Sequence, residues 1–241
     1  MKIITFLIGI ILSFNVNAQP LIEFVVSATP GGPNDTVTRK LVEKLENNSS
    51  LKFIVLNKAG AAHVIGYNYV LNSDKPTLII STPEIISHEG YSKLDEVYTL
   101  GYFTNVLFVS KKSNIQNFKQ LTELSKSRQI IFGHGGVGTY SHRAMQTVCE
   151  KTLKCLDVAY KGGSQGILAV MTGEIDVYAL TSYGIKQFLE NNMLVPIYNV
   201  GTAKEKNWVK LFSKNLSSAD KETILNVLKS QDFKFYSDMG F

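Results

Sequence analysis

Short apolar runs that end in glycine-, serine- or threonine-rich turns and then enter helical spacing recur along this chain. That rhythm leaves few folds open to it. Ile22 to Val26 runs into Thr29-Pro30-Gly31-Gly32-Pro33-Asn34-Asp35, followed by Val37, Leu41 and Leu45 one helical turn apart. Lys52 to Leu56 runs into Asn57-Lys58-Ala59-Gly60-Ala61-Ala62-His63 and the helical stretch Val64 to Leu71, and Thr77 to Ile80 ends at Ser81-Thr82-Pro83. A second block repeats the pattern. Val106 to Ser110 reads as a strand and Asn114 to Lys126 as a helix with a Phe118, Leu121 and Leu124 stripe. Gln129 to Phe132 enters Gly133-His134-Gly135-Gly136-Val137-Gly138-Thr139 and a helix from Ser141 to Cys149. Leu156 to Tyr160 enters Lys161-Gly162-Gly163-Ser164, with Ser164 placed to cap a helix from Gln165 to Met171. Asp176 to Leu180 ends at Thr181-Ser182 before Ile185 to Leu189, and Leu194 to Tyr198 is a last strand. The Tyr-rich stretch His88 to Tyr102 is assigned no element. Repeated βα units predict parallel sheets covered on both faces. In open α/β sheets ligands bind at the carboxyl ends of the strands. If two such sheets face each other, both sets of turns line one cleft.

The 241 residues suit one large or two small domains. Met1-Lys2, the apolar run Ile3 to Phe14 and the small-residue end Val16-Asn17-Ala18 have the form of a secretory signal peptide over residues 1–18, cut after Ala18. The expected mature protein is soluble, exported and periplasmic. The formal charge of +5 is spread over scattered lysines with only Arg39, Arg128 and Arg143, so no nucleic-acid footprint is present. Mild positive charge favours anionic ligands weakly. Cys149 and Cys155 could form a disulfide in an oxidising compartment if geometry brings the sulfurs together. No metal site and no cofactor are expected.

Three chemistries fit parts of the pattern. Gly133, Gly135 and Gly138 match the dinucleotide fingerprint, but Asp157 lies at the wrong end of its strand for the ribose. A Walker loop fails because Thr139 stands where Lys is required. Hydrolysis lacks a G-x-S-x-G elbow, a metal-ligand pair or a carboxylate pair, and His63, His88, His134 and His142 are as well explained by structural hydrogen bonds. The third is binding without reaction. Helix starts after glycine turns offer free N–H groups and a positive dipole end to an anion. Thr29 to Asp35 is such a turn, and an ordinary strand-to-helix turn would look the same. Arg143, Lys161, Tyr140, Tyr160 and Tyr183 could add charge or walls.

Pro30-Gly31-Gly32-Pro33-Asn34-Asp35, Asn57 to Ala61, Gly133 to His142 and Tyr160-Lys161-Gly162 stand in the order and spacing of the tripartite tricarboxylate transporter receptors, the Bug or TctC family. The resemblance runs from Ile22 to about Val200 and more weakly through Trp208 to Gly240. It implies a two-lobed periplasmic binding fold of type II, each lobe a mostly parallel sheet flanked by helices. Lobe 1 would span 19–105, completed by 201–241, and lobe 2 would span 106–200. It further implies a monomeric, non-enzymatic receptor that closes on a small carboxylate (a di- or tricarboxylate, amino acid or aromatic acid). The receptor would deliver that acid to membrane permease subunits. In that family two loops clamp the carboxylate with backbone N–H groups, small hydroxyls and ordered water. Here they correspond to Thr29, Pro30, Gly31, Gly32, Asn34 and Asp35, facing Gly136, Val137, Gly138, Thr139 and Ser141. Asp35 is assigned to shaping its loop, because like charges repel. Ser81, Thr82, Lys161, Gly162, Thr181 and Ser182 fall nearer the distal end. Three departures stand out: Ala61-Ala62-His63 in place of a glycine-rich turn, a short Thr202 to Asn207 stretch, and an end at Phe241 where the family adds a helix. The last motivates a second reading, a sensor or interaction module; a third, an exported enzyme of unknown reaction, has no catalytic constellation behind it.

Overall fold

The computed structural model describes residues 21–81, 90–103, 105–200 and 207–230. The expected signal peptide and Thr82 lie outside them. The first sheet holds β1 (Ile22–Val26), β2 (Phe53–Asn57), β3 (Thr77–Ile80), β4 (Asp95–Phe103) and β10 (Asn207–Lys214) in the order β2-β1-β3-β10-β4. The second holds β5 (Asn105–Ser110), β6 (Ile130–His134), β7 (Cys155–Ala159), β8 (Val177–Thr181) and β9 (Leu194–Val200) in the order β7-β6-β8-β5-β9. β10 runs antiparallel to both β3 and β4, and β5 runs antiparallel to both β8 and β9. Each sheet therefore has one reversed strand. That strand is always the first one after the chain has crossed from the other lobe. The two lobes repeat one topology.

The strands are apolar where both faces are covered, as in β1, β3 and β5, whose residues are all buried. Helix α1 (Pro33–Asn47) buries Val37, Leu41 and Leu45 against β1, with Pro33 in its first turn where no N–H is needed. Helices α2 (Val64–Asn72), α3 (Phe118–Ser127), α4 (Tyr140–Cys149), α5 (Gly163–Thr172), α6 (Ser182–Glu190) and α7 (Ser218–Ser230) complete the layers. Among the described residues, no helix is long and apolar enough to cross a membrane. The sulfurs of Cys149 and Cys155 are bonded, tying the end of α4 to the start of β7.

Several local expectations change. The helix expected from Asn114 begins at Phe118, because Lys111–Ser113 form a 3₁₀ turn and Asn117 caps the helix by accepting from Gln120 N at 3.0 Å. Ser164 is not the cap of α5; that position is Gly162, and Ser164 lies in the first turn. The Tyr-rich stretch contains a full strand, β4. Among the described residues it pairs on one side only, with β10, as the last strand of its sheet.

Candidate functional site

The carboxyl ends of β1, β2, β3, β6, β7 and β8 point into the space between the sheets, where a cavity of about 740 Å³ opens. This is an ordinary size for a small-ligand site. Of the residues singled out in the sequence, the first lobe contributes Gly32, Asn34 and Ser81 to its lining. The second contributes the whole turn Gly136, Val137, Gly138 and Thr139 with Ser141, then Lys161, Gly162 and Thr181. Thr29, Pro30, Gly31, Asp35 and Ser182 stand behind the lining.

The reason is visible in the first turn. Asp35 is buried, and its Oδ2 accepts from Gly31 N at 2.9 Å and Arg39 Nε at 3.0 Å. Its Oδ1 accepts from Asn57 Nδ2 at 2.9 Å, and the same amide donates to Ala28 O at 3.1 Å. Gly32 N donates back to Thr29 O at 3.3 Å. The glycine N–H groups expected for a ligand are thus used inside the turn. What the turn presents instead is the start of α1. Its N-cap, Gly32, has no side-chain oxygen, so no side chain caps the first-turn N–H of Asn34. Burial alone would raise the Asp35 carboxyl; the bonds from Arg39, Gly31 and Asn57 outweigh it and hold the group below its ordinary range.

The facing turn is organised in the same way. Gly135 N donates to Ser141 Oγ at 2.9 Å and Gly136 N to His134 Nδ1 at 3.1 Å. The buried His134 therefore carries its proton on Nε2, which lies 3.3 Å from Asp157 Oδ2. Gly138 N donates to His142 Nδ1 at 3.4 Å, and Thr139 caps α4 through His142 N at 3.2 Å. Burial, the neighbouring His134 and Arg143 lower the His142 pKa, against a smaller opposing pull from Asp157. Gly136 and Gly138 have φ of 117° and 82°, a backbone region that favours glycine.

Five helices begin at the cavity wall: α1 at Gly32, α2 at His63, α4 at Thr139, α5 at Gly162 and α6 at Thr181. Thr139 and Thr181 cap theirs, whereas α1, α2 and α5 have no side-chain cap. Among the described residues no Asp or Glu lines the cavity, while Lys161 and His63 do. Positive dipole ends and open N–H groups converge on a space whose described lining carries no carboxylate, which is the chemistry of an anion site.

The turn before α2 departs furthest from expectation. Gly60 has φ 124°, and Ala61, Ala62 and His63 follow at 46°, 49° and 76°, three non-glycine residues in the left-handed region. His63 Nδ1 lies 2.9 Å from Ser27 O, a carbonyl that only accepts, so Nδ1 carries the proton and Nε2 is left as an acceptor. Ala62 reaches across the cavity to within 4.0 Å of where a Cβ on Gly136 would stand.

The lobes also touch at the lip. Thr29 Oγ1 lies 3.1 Å from Ser164 Oγ. A Cβ on Gly162 would stand 2.5 Å from Thr29 Oγ1, and one on Gly184 would stand 2.2 Å from Pro33 Cγ. Glycine at these places lets the second lobe seat against the start of α1. Sequence reasoning missed Asn105 and Tyr178, which both line the cavity. A polar residue opening the apolar run 105–109 was a signal for the first. The second carried none.

The family model described as "Tripartite tricarboxylate transporter family receptor" matches residues 37–197. The UPF0065 protein of the tcbD-tcbE intergenic region of a Pseudomonas species is 25% identical over 170 residues, 65% of this chain and 51% of that protein. Protein BugT of Bordetella pertussis is 24% identical over 174 residues, 66% of this chain and 53% of that protein. The chain spans about half the length of the curated relatives it matches. Among solved structures, the periplasmic binding protein BugD aligns with a TM-score of 0.75 at 15% identity, over 88% of this chain and 82% of its own. MatC from Rhodopseudomonas palustris with bound malate aligns with a TM-score of 0.73 at 16% identity, over 88% and 83%. The two-lobed periplasmic binding fold is shared at these levels.

Proposed function

The chain belongs to the tripartite tricarboxylate transporter receptor family, and we propose that it is an exported, periplasmic receptor that captures a small carboxylate by lobe closure. It hands that acid to the membrane subunits of a tripartite tricarboxylate-type transporter and transforms nothing on the way. The observation that carries the reading is the convergence of uncapped helix N-termini on a cavity with no acidic residue in its described lining. The carboxylate is held between the start of α1 and the Gly136 to Ser141 turn. Lobe 1 takes residues 19–104 with 201–241, and lobe 2 takes 105–200, one residue earlier than expected because Asn105 already pairs in the second sheet. The bound malate of the MatC structure makes small dicarboxylates a first class to try. The Cys149–Cys155 bond suits an oxidising compartment beyond a signal peptide at 1–18.

Closure follows from differential affinity: the acid contacts both jaws only when they meet, so binding favours the closed arrangement. A thermal-shift screen of mono-, di- and tricarboxylates, amino acids and aromatic acids tests the reading. At least one acid is expected to raise the melting temperature in a saturable way, since a ligand at 100 times its Kd adds about 2.7 kcal/mol. Silence from every acid at millimolar excess contradicts it. Coupling to transport is read separately, as uptake of the labelled acid by cells with and without this chain.

A further inference from the structure

Two side chains in the cavity wall are polar, almost wholly buried, and without a side-chain hydrogen bond among the described residues. Tyr178 is 1% exposed and Asn105 3%. Both line the cavity, and among the described residues neither side chain makes a hydrogen bond; neither is among the fully enclosed polar atoms that lack a bond, so their polar ends reach the cavity space. A polar group that faces a cavity with no partner in the fold is open to water or to a ligand.

Tyr178 is held with unusual rigidity. A Cβ on Gly166 would stand 2.1 Å from its Cε2, and one on Gly133 would stand 2.7 Å from its Cδ2. Two glycines on two elements, β6 and α5, thus make a slot one ring wide. Phe108 and Tyr160 close the slot with tilted and edge-on ring contacts at 6.0 and 6.2 Å. This is also the use of the first glycine in the dinucleotide-like pattern: Gly133 makes room for a ring and cradles no phosphate. The hydroxyl emerges beside the Gly135 to Ser141 turn, 3.6 Å from where a Cβ on Gly135 would be. Phenylalanine would fill the same slot without carrying a hydroxyl to the cavity. The hydroxyl therefore has a use outside the fold itself.

Asn105 opens the crossing strand β5, paired between Thr181 of β8 and Val200 of β9. Its backbone is committed to the sheet, and its amide faces the cavity from the side of the lobe crossing. An amide and a phenol are both neutral, and both donate and accept. Neither duplicates the anion-binding helix starts. Building on the carboxylate reading above, we infer that Tyr178 Oη and the Asn105 amide recognise a neutral hydrogen-bonding group on the ligand. The receptor thereby selects a carboxylate bearing a hydroxyl, oxo or amide group over the unsubstituted acid. A site built to pair a hydroxyl rejects the analogue lacking it, because its own buried groups are then left unpaired.

The test uses three pairs that differ by one hydroxyl: lactate and propionate, 2-hydroxyglutarate and glutarate, mandelate and phenylacetate. Affinities are measured by calorimetric titration of the purified full chain. In at least one pair the hydroxy acid is expected to bind about tenfold tighter or more. Y178F and N105L are expected to shrink that preference to about threefold or less. They are also expected to leave the ligand-free melting temperature unchanged or raised, since each removes a polar group that bonds to nothing within the fold. A purely structural hydroxyl or amide predicts the opposite, a lower melting temperature with the preference intact. If the acids bind with no hydroxyl preference, or the variants keep it, the inference is overturned and the carboxylate reading stands. If none of the six acids binds while another acid of the thermal-shift screen does, the inference is overturned and the carboxylate reading stands.

Discussion

Asp35 accepts three hydrogen bonds inside the first turn and does not line the cavity. Its exposed partner Arg39 adds little as an ion pair, but the bonds to Gly31 N and Asn57 fix the turn that aims α1. D35N forces an amide donor against a donor whichever way it turns. It is expected to cost about 1–3 kcal/mol, read as a lower melting temperature. The sign with pH follows from the depressed folded pKa. The carboxylate's contribution is complete above the ordinary carboxyl range and is lost as pH falls through the depressed value. His142 works in the same sense over a different range. Its folded pKa is lowered, so the neutral ring that accepts from Gly138 N is favoured in the fold. Its contribution is present above the unfolded histidine value of about 6.5 and declines as pH falls below it. H142Q is expected to flatten the stability profile just below that pH; an unchanged slope in urea titrations rules the assignment out.

At the scale of elements, the closed lip rests on glycines that no side chain can replace in place. Gly184, in the first turn of α6, sits under Pro33 of α1. G184A puts a methyl 2.2 Å from Pro33 Cγ, a separation that packed atoms do not adopt. The lobes keep their own cores, so the expected result is a folded protein whose carboxylate affinity falls about tenfold or more. Its radius of gyration by solution scattering should stay at the ligand-free value when acid is added; wild-type affinity in this variant contradicts the closure account. Elements of this kind were partly legible in the sequence. The βα units were, because strand, glycine turn and helical spacing are local patterns. β4 and β10 were not, because an edge strand and a long-range antiparallel return are set by pairing across more than a hundred residues. Tyr178 was not, because its slot is made by Gly133 and Gly166, distant in sequence and joined only by the fold. The glycines of Thr29 to Asp35 were read as ligand donors because sequence shows which N–H groups exist and not which are already taken.

The whole molecule is two copies of one sheet topology brought face to face, with five helix starts meeting in the gap. Neither lobe alone makes the cavity. α1, α2 and Ser81 come from the first lobe, and the Gly135 to Ser141 turn, α5 and Asn105 from the second. The central claim is that this shared space holds a carboxylate through its negative charge. The most direct measurement is calorimetric titration of the mature chain with an acid found by thermal shift and with that acid's primary amide, which keeps the shape and removes the charge. The account predicts saturable one-to-one binding of the acid, weaker by at least about a hundredfold for the amide. Equal binding of acid and amide, or binding of neither, contradicts it.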